Sequence, residues 1–375
     1  MTNSDKISVA LVDDSSVIRG VLSRILEADP KIEIVASVAD GKMGVTIAGS
    51  KKPDILILDV EMPVMDGLTA LPQILKNSPK TKVIMFSSLT AKGADTTLKA
   101  FSAGAVECLV KPTSAQGTGP GSEFQKVLLN LVKTLGGVSP SQPAPRAQAI
   151  PTAATPASPA VTPAKTVIGR DSSKVVLLND PMAYRGKPKI IAIGSSTGGP
   201  QALFKVIKNI GIIDIPIVIT QHMPATFTKI LAEHITQHTN VPAHEGEDGM
   251  LVEAGNVYVA PGGKHMLFEQ SGGQLRIKLD DGPAENFCKP AVDPMMRSLV
   301  DIYQDKILCV ILTGMGQDGL LGAQALVEKK GRVIAQDEES SVIWGMPGAV
   351  AVQGLCHAVL PVDDVGKWIK KASLL

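Results

Sequence analysis

Between Gly137 and Thr166 the chain carries a segment that cannot belong to a folded core, and this segment sets the architecture. From Val138 to Lys165, seven residues are proline and eight are alanine, and only Arg146 and Lys165 are charged. Such a composition buries too little apolar surface to offset the entropy of ordering it, so it predicts a disordered linker of polyproline II character. Two domains are therefore expected, at residues 6–136 and 183–375, joined by a tether at residues 137–166. A tether of this length spans roughly 30 Å r.m.s. if flexible and up to about 87 Å if stiff. It is too loose to transmit force, so any coupling between the halves has to come from direct contact.

On either side of the tether, short apolar runs alternate with amphipathic ones. Ile7–Val12, Ile32–Ser37, Asp54–Asp59, Lys82–Ser87 and Val106–Val110 read as strands, with helical patterns after each, the last at Glu123–Leu135. Five βα units imply a doubly wound parallel sheet. The second half repeats the rhythm, with strands at Lys189–Gly194, Ile215–Thr220, Val257–Ala260, Ile307–Thr313, Arg332–Gln336 and His357–Leu360. His265–Glu269 and Gln274–Leu279 flank Ser271-Gly272-Gly273, which predicts one antiparallel hairpin in an otherwise parallel α/β domain.

Several function classes are excluded early. Thirty-seven basic against 36 acidic residues leave a net charge of +1, so there is no global field to hold nucleic acid. Aromatic residues, at 3%, are too few for a stacking platform. The four cysteines are widely spaced and form no C-x-x-C, which argues against a disulfide framework and points to a reducing cytoplasm. No signal peptide is legible at the N-terminus, and no apolar run approaches the ~18 residues needed for membrane insertion.

In the first half, Asp13 and Asp14 follow the first strand, Asp59 ends the third, Ser87 ends the fourth and Lys111 follows the fifth. All land on the carboxyl edge of one parallel sheet. Three carboxylates held together repel unless a cation lies between them, and an oxygen-only donor set suits Mg²⁺. Lysine and a hydroxyl beside such a metal suit the stabilisation of a phosphoryl group. The motifs Leu-Val-Asp13-Asp14-Ser-Ser, Leu-Asp59-Val-Glu-Met-Pro-Val-Met-Asp-Gly67, Met-Phe-Ser87-Ser and Val-Lys111-Pro112 resemble those of response-regulator receiver domains. The resemblance implies Asp59 as phospho-acceptor, with a histidine kinase as phosphodonor. It also implies Mg²⁺ held by Asp14, Asp59 and the Glu61 carbonyl with Asp13 nearby, and Ser87 and Lys111 as the phospho-switch. At the position three before the lysine, where many receivers carry an aromatic switch residue, this chain has Cys108.

In the second half, Gly194-Ser195-Ser196-Thr197-Gly198 follows a strand and precedes a helix. This G-x-S-x-G places Ser196 on a sharp corner with its hydroxyl above the sheet. A serine needs a base and an orienting acid. Only His222 among six histidines sits just after a strand on the same edge; His234 and His238, at i and i+4, read as a solvated helix face. Asp318, in Leu-Thr-Gly-Met315-Gly-Gln-Asp318-Gly, opens the helix after the strand Ile307–Thr313 and serves as its cap or as the partner of His222. The order Ser…His…Asp differs from that of α/β-hydrolases, so their fold is not implied. The two glycine-rich loops also admit a phosphate-binding reading, although no P-loop or dinucleotide fingerprint is present.

The motifs Ile-Gly-Ser-Ser196-Thr-Gly-Gly-Pro, Gln-His222-Met-Pro, Val-Tyr-Val-Ala-Pro-Gly-Gly-Lys-His265, Leu-Thr-Gly-Met315-Gly-Gln-Asp318-Gly and Trp344-Gly-Met-Pro resemble those of chemotaxis protein-glutamate methylesterases. That resemblance implies hydrolysis of glutamate γ-methyl esters, and deamidation of particular glutamines, on methyl-accepting chemoreceptors. It also implies a receiver that covers the catalytic site until it is phosphorylated. The expected machinery is Ser196, His222 and Asp318, with the backbone N–H of Met315 as an oxyanion donor and no cofactor for the hydrolysis itself. Trp344 and its turn read equally as support or as substrate contact.

Overall fold

The computed structural model of the chain describes residues 6–88, 91–112, 119, 121–137, 175–178 and 186–374. The expected tether beyond Gly137 lies outside the described residues.

The first half begins β1 (Ile7–Val12), α1 (Ser16–Glu27), β2 (Ile32–Val38), α2 (Gly41–Lys51) and β3 (Ile55–Asp59). It continues α3 (Gly67–Asn77), β4 (Lys82–Ser87), α4 (Ala91–Ser102), β5 (Glu107–Val110) and α5 (Glu123–Leu135). The strands pair in parallel in the order β2-β1-β3-β4-β5, the flavodoxin-like arrangement. Helix starts are fixed by local chemistry. Asp40, Asp66 and Ser122 accept from the backbone N–H of Met43, Thr69 and Gln125 at 2.8, 2.7 and 3.2 Å, which satisfies donors that a helix leaves free at its first turn. Every residue of β3 is buried, as expected of a strand covered on both faces.

The second half runs β6 (Ile190–Ser195), α6 (Gly199–Ile210), β7 (Ile217–Gln221), α7 (Ala225–Thr239), β8 (Ala243–Glu245) and β9 (Val257–Val259). Then come β10 (His265–Ser271), β11 (Gln274–Asp280), α8 (Val292–Tyr303), β12 (Ile307–Ile311), α9 (Leu320–Glu328), β13 (Arg332–Gln336), α10 (Met346–Val352), β14 (Ala358–Leu360) and α11 (Val362–Ala372). Seven strands form a second parallel sheet, β14-β13-β12-β6-β7-β9-β8. The hairpin β10–β11 stands off it as a separate antiparallel pair, closed by Gly272 and Gly273 at φ 59° and 79°, the geometry of a type I′ turn. From β6 the chain builds outward through β7 on one side and through β12 and β13 on the other. The strand order therefore reverses between β6 and β12, where open α/β sheets bind their ligands.

The two halves meet along a seam. Gly198 N–H donates to Val106 O at 3.2 Å, and the Gln201 amide donates to Ala105 O. His234 Nε2 lies 3.0 Å from Asp95 Oδ1, joining α7 to α4. Met315, Val342 and Ile343 of the second half pack into the core of the first. A cavity of about 530 Å³ follows the seam, lined by residues of both halves such as Phe101, Val106, Gln201 and Thr313. The seam corrects one sequence expectation. His234 is not on a solvated face: it is buried against α4, and exposed His238 stacks on Phe204 with ring centroids 5.1 Å apart. A helix's own periodicity carries no record of a distant partner, which is why the pattern read as solvated.

Candidate functional sites

At the carboxyl edge of the first sheet, Asp13, Asp14 and Asp59 offer carboxylate oxygens that all lie within 4.8 Å of one another. Asp14 and Asp59 border a cavity of about 350 Å³ also lined by Glu61, Ser87 and Lys111. Asp13 and Asp59 are buried while Asp14 is exposed. Lys111 Nζ sits 2.9 Å from Asp13 Oδ2 and 2.7 Å from Asp59 Oδ2. Burial pushes the Asp59 carboxyl up to about 6 against the pull of Lys111, and repulsion from Asp13 adds to the rise. A pocket in which ionisation is this costly, with hard oxygen donors and one open side, fits a divalent cation. Ser87 Oγ donates to Ser88 O at 3.3 Å, and the Lys111 N–H to Ser87 O at 2.8 Å. Cys108 points elsewhere, with its sulfur 3.5 Å from Thr97 Oγ1.

In the second sheet, Ser195 pairs with Gln221 across β6 and β7, and Gly194 pairs with Ile311 across β6 and β12. Ser196 and His222 are the next residues on neighbouring strands, about one strand spacing apart. The ladder extends past the strand ends, since His222 N–H donates to Ser195 O at 3.0 Å and Ser196 N–H to Thr313 O at 3.0 Å. The corner depends on glycine: Gly198 has φ 76°, and a Cβ on Gly199 would overlap Gln221 Oε1. Ser195 is wholly buried, and its hydroxyl donates to Gln221 Oε1 at 2.7 Å. The Gln221 amide in turn donates to Ser196 O at 3.0 Å and His222 O at 3.1 Å. Ser195 thus braces the corner, while Ser196 reaches partial exposure.

His222 Nε2 lies 2.7 Å from Asp318 Oδ2, and its Nδ1 lies 3.3 Å from Cys288 Sγ. Of the two readings the sequence allowed, Asp318 does not cap the helix it precedes, since Gly319 holds that place in α9. Its carboxylate accepts instead from the backbone N–H of Val292 at 2.6 Å and of Asp293 at 3.1 Å, the first turn of α8, where Ala291 supplies no side-chain cap. Gly319 N–H at 3.0 Å and Asn286 Nδ2 at 3.1 Å also donate to it. Burial alone would raise the Asp318 pKa, but its hydrogen bond with His222 and these donors bring it below the ordinary value. Conversely, burial lowers the His222 pKa, and the contacts with Asp318 and Cys288 outweigh burial and raise it to about 10. Asp293, beside Asp318, is pushed up to about 6 by burial.

Met315 follows Gly314 at the end of β12, and its N–H meets none of the described acceptors, while its sulfur accepts from Thr134 of α5 at 3.6 Å. Trp344 is tied into the fold, with Nε1 donating to Gln336 O at 2.9 Å and its backbone bridging Gly314. Three neighbours of the His222–Asp318 pair had no sequence signal. Asn286 and Cys288 lie in a loop without a motif, and Glu107 belongs to the other half. Burial raises the pKa of the Glu107 carboxyl, which hydrogen-bonds Thr197 and feels the charge of His222.

A phospho-acceptor-type pocket on one doubly wound sheet, tethered to a second sheet with a serine elbow at its switch point, defines a response regulator with an enzymatic output domain. Residues 9–117 match the response regulator receiver domain and residues 191–369 match CheB methylesterase. A protein-glutamate methylesterase/protein-glutamine glutaminase of Paramagnetospirillum magneticum is 48% identical over 378 residues, covering 98% of this chain and 96% of the relative. One from Azospirillum brasilense is 48% identical over 374 residues, covering 98% of this chain and 93% of the relative. The crystal structure of the Thermotoga maritima CheB methylesterase catalytic domain is 40% identical, covers 50% of this chain and 99% of its own, and has a TM-score of 0.48. The chain belongs to the protein-glutamate methylesterase/protein-glutamine glutaminase family. Among the described residues, no helix is long and apolar enough to cross a membrane.

Three outcomes are expected at these sites. With its pKa raised from 3.8 to about 6, Asp59 holds a proton in the folded state that the unfolded chain releases, so its contribution to stability falls as pH rises through that window. Asp59→Asn should therefore raise the melting temperature at neutral pH. Mg²⁺ should stabilise the wild type, by about 2.7 kcal/mol at 100 times its Kd, and leave Asp59→Asn unmoved; thermal melts at several pH values check both. Cys288→Ala removes one of the two contacts that raise the His222 pKa, so the imidazole should titrate at lower pH than in the wild type, as followed by its ring-proton NMR signals.

Proposed function

We propose that the second domain hydrolyses glutamate γ-methyl esters, and deamidates particular glutamines, on methyl-accepting chemoreceptor polypeptides, and that phosphorylation of the first domain raises this activity. The observation that carries the reading is the His222–Asp318 pair, 2.7 Å apart, on the strand end next to Ser196. The Ser196 hydroxyl attacks the acyl carbon. With Nε2 held by ionised Asp318, Nδ1 is the nitrogen that takes the serine proton and delivers it to the leaving methanol or ammonia, and it then deprotonates the water that cleaves the resulting Ser196 acyl ester, releasing the glutamate carboxylate and the free serine. To do so the imidazole must exchange Cys288 for Ser196 and lose its resting proton. The Met315 N–H, unpaired beside the elbow, supplies an oxyanion donor. The reaction calls on no cofactor.

Asp59 accepts the phosphoryl group from a histidine kinase, and Asp13, Asp14, Asp59 and the Glu61 carbonyl would hold Mg²⁺, which would neutralise phosphoryl charge. Ser87 and Lys111 then bond the new oxygens, and Lys111 leaves its pair with Asp13. Lys111 follows β5 directly, and the preceding segment carries Ala105, Val106 and Glu107, the residues that sit on the elbow of the second domain. A shift of this strand loosens the cover without any aromatic at position 108. Tenfold activation needs about 1.4 kcal/mol of differential stabilisation, within the usual range of allosteric coupling.

Acetyl phosphate should increase methanol release from methylated receptor membranes by the full-length wild type, while Asp59→Asn should stay at the resting rate. Equal rates with and without the phosphodonor in the wild type would overturn the coupling. Ser196→Ala should abolish methanol release with the fold intact. Ser195→Ala should keep the chemistry and lose roughly 1–3 kcal/mol of stability, because it leaves buried Gln221 Oε1 without its donor; rate assays and denaturant melts separate the two.

A further inference from the structure

The turn at residues 285–288 is built against preference. Glu285 and Cys288 pair across it, with Glu285 N–H donating to Cys288 O at 3.1 Å and Cys288 N–H to Glu285 O at 2.8 Å. The two residues between them, Asn286 and Phe287, have φ 51° and 64°. Asn-Gly is the pair this kind of turn favours, and a bulky aromatic in left-handed backbone is an outlier that persists only where its surroundings enforce it.

The surroundings here do enforce it. Asn286 Nδ2 donates to Asp318 Oδ1 at 3.1 Å and to Asp293 Oδ2 at 3.0 Å, Cys288 Sγ meets His222 Nδ1 at 3.3 Å, and Arg297 grips Glu285 with both arms at 2.6 and 3.0 Å. Both neighbours of Phe287 thus touch the His222–Asp318 pair, and Phe287 itself points the other way. Its side chain is fully exposed, at 101%. The fold makes no use of the ring, and the first domain, seated against the elbow through Val106 and Ala105, leaves it uncovered.

An aromatic carried on backbone that is held in place beside a reactive site offers a large contact area and has only its two side-chain torsions left to order. We infer that Phe287 is the docking residue for the polypeptide that carries the scissile glutamyl group, receiving an apolar side chain of that polypeptide next to the reacting one. The inference rests on the activity proposed above and adds what selects a protein substrate over a free ester. Phe287 touches no reacting atom; it binds and positions.

The test uses the full-length protein with acetyl phosphate and two substrates, methylated receptor membranes and the small ester N-acetylglutamate γ-methyl ester methylamide. Phe287→Asn removes the ring and suits the left-handed backbone, so the turn is kept. It should lose about tenfold or more in kcat/KM on the receptor, the cost of one good anchoring contact, mostly through KM. It should match the wild type on the small ester, and Phe287→Trp should retain receptor turnover. Wild-type efficiency of Phe287→Asn on the receptor overturns the inference, as does an equal loss on both substrates, which would assign Phe287 to turn geometry. A wild type that hydrolyses neither substrate overturns the proposed activity itself, a failure distinct from the other two.

Discussion

The chemistry of the second domain rests on parallel register. β6 lies between β12 and β7 with Gly194 opposite Ile311 and Ser195 opposite Gln221, so three strands end at one level. A slip of one residue would turn Ser196 to the other face and exchange it with buried Ser195. Gln221 reinforces the level by bonding Ser195, the Ser196 carbonyl and its own neighbour's carbonyl. The placement of serine and imidazole is therefore a property of the sheet, the carboxylate is held to them from the start of α8, and the glycines of the elbow let the chain leave the sheet.

Much of this was legible in the sequence because it is local. Parallel strands covered on both faces read as continuous apolar runs, and a residue just past such a run lies at the carboxyl edge whatever the loops do; that reasoning places Asp13, Asp59, Lys111, Ser196 and His222. β8 escaped because three residues, Ala243–Glu245, carry no period, and α10 because its seven residues begin at Gly345-Met346-Pro347, a turn signal. What the sequence could not show is pairing across distance. Asp318 looks like the cap of its own helix and serves another. His234 looks solvated and lies under α4. Cys288 and Asn286 occupy a loop with no motif, and Glu107 reaches the elbow from a separate domain.

The seam between the halves is mixed in character. Backbone groups at Gly198 and Val106 pair directly, Met315 and Ile343 add apolar contact, and His234 with Asp95 adds a partly buried polar pair. Such a combination resembles a transient protein interface more than a domain core. The loop that bears Met315 lies in the seam, so the first domain packs against the chain beside Ser196.

The carboxylate of Asp318 has two employers. It holds His222 by one oxygen, and both of its oxygens meet N–H groups of α8, which has no side-chain cap of its own. Imidazole basicity and anchorage of a core helix are thereby welded into one side chain. Drift at position 318 would be felt first as misfolding, before any change in rate could be selected. Another neighbour of the imidazole, the Cys288 thiol, supports no helix, so a change there can adjust the ring without loosening α8.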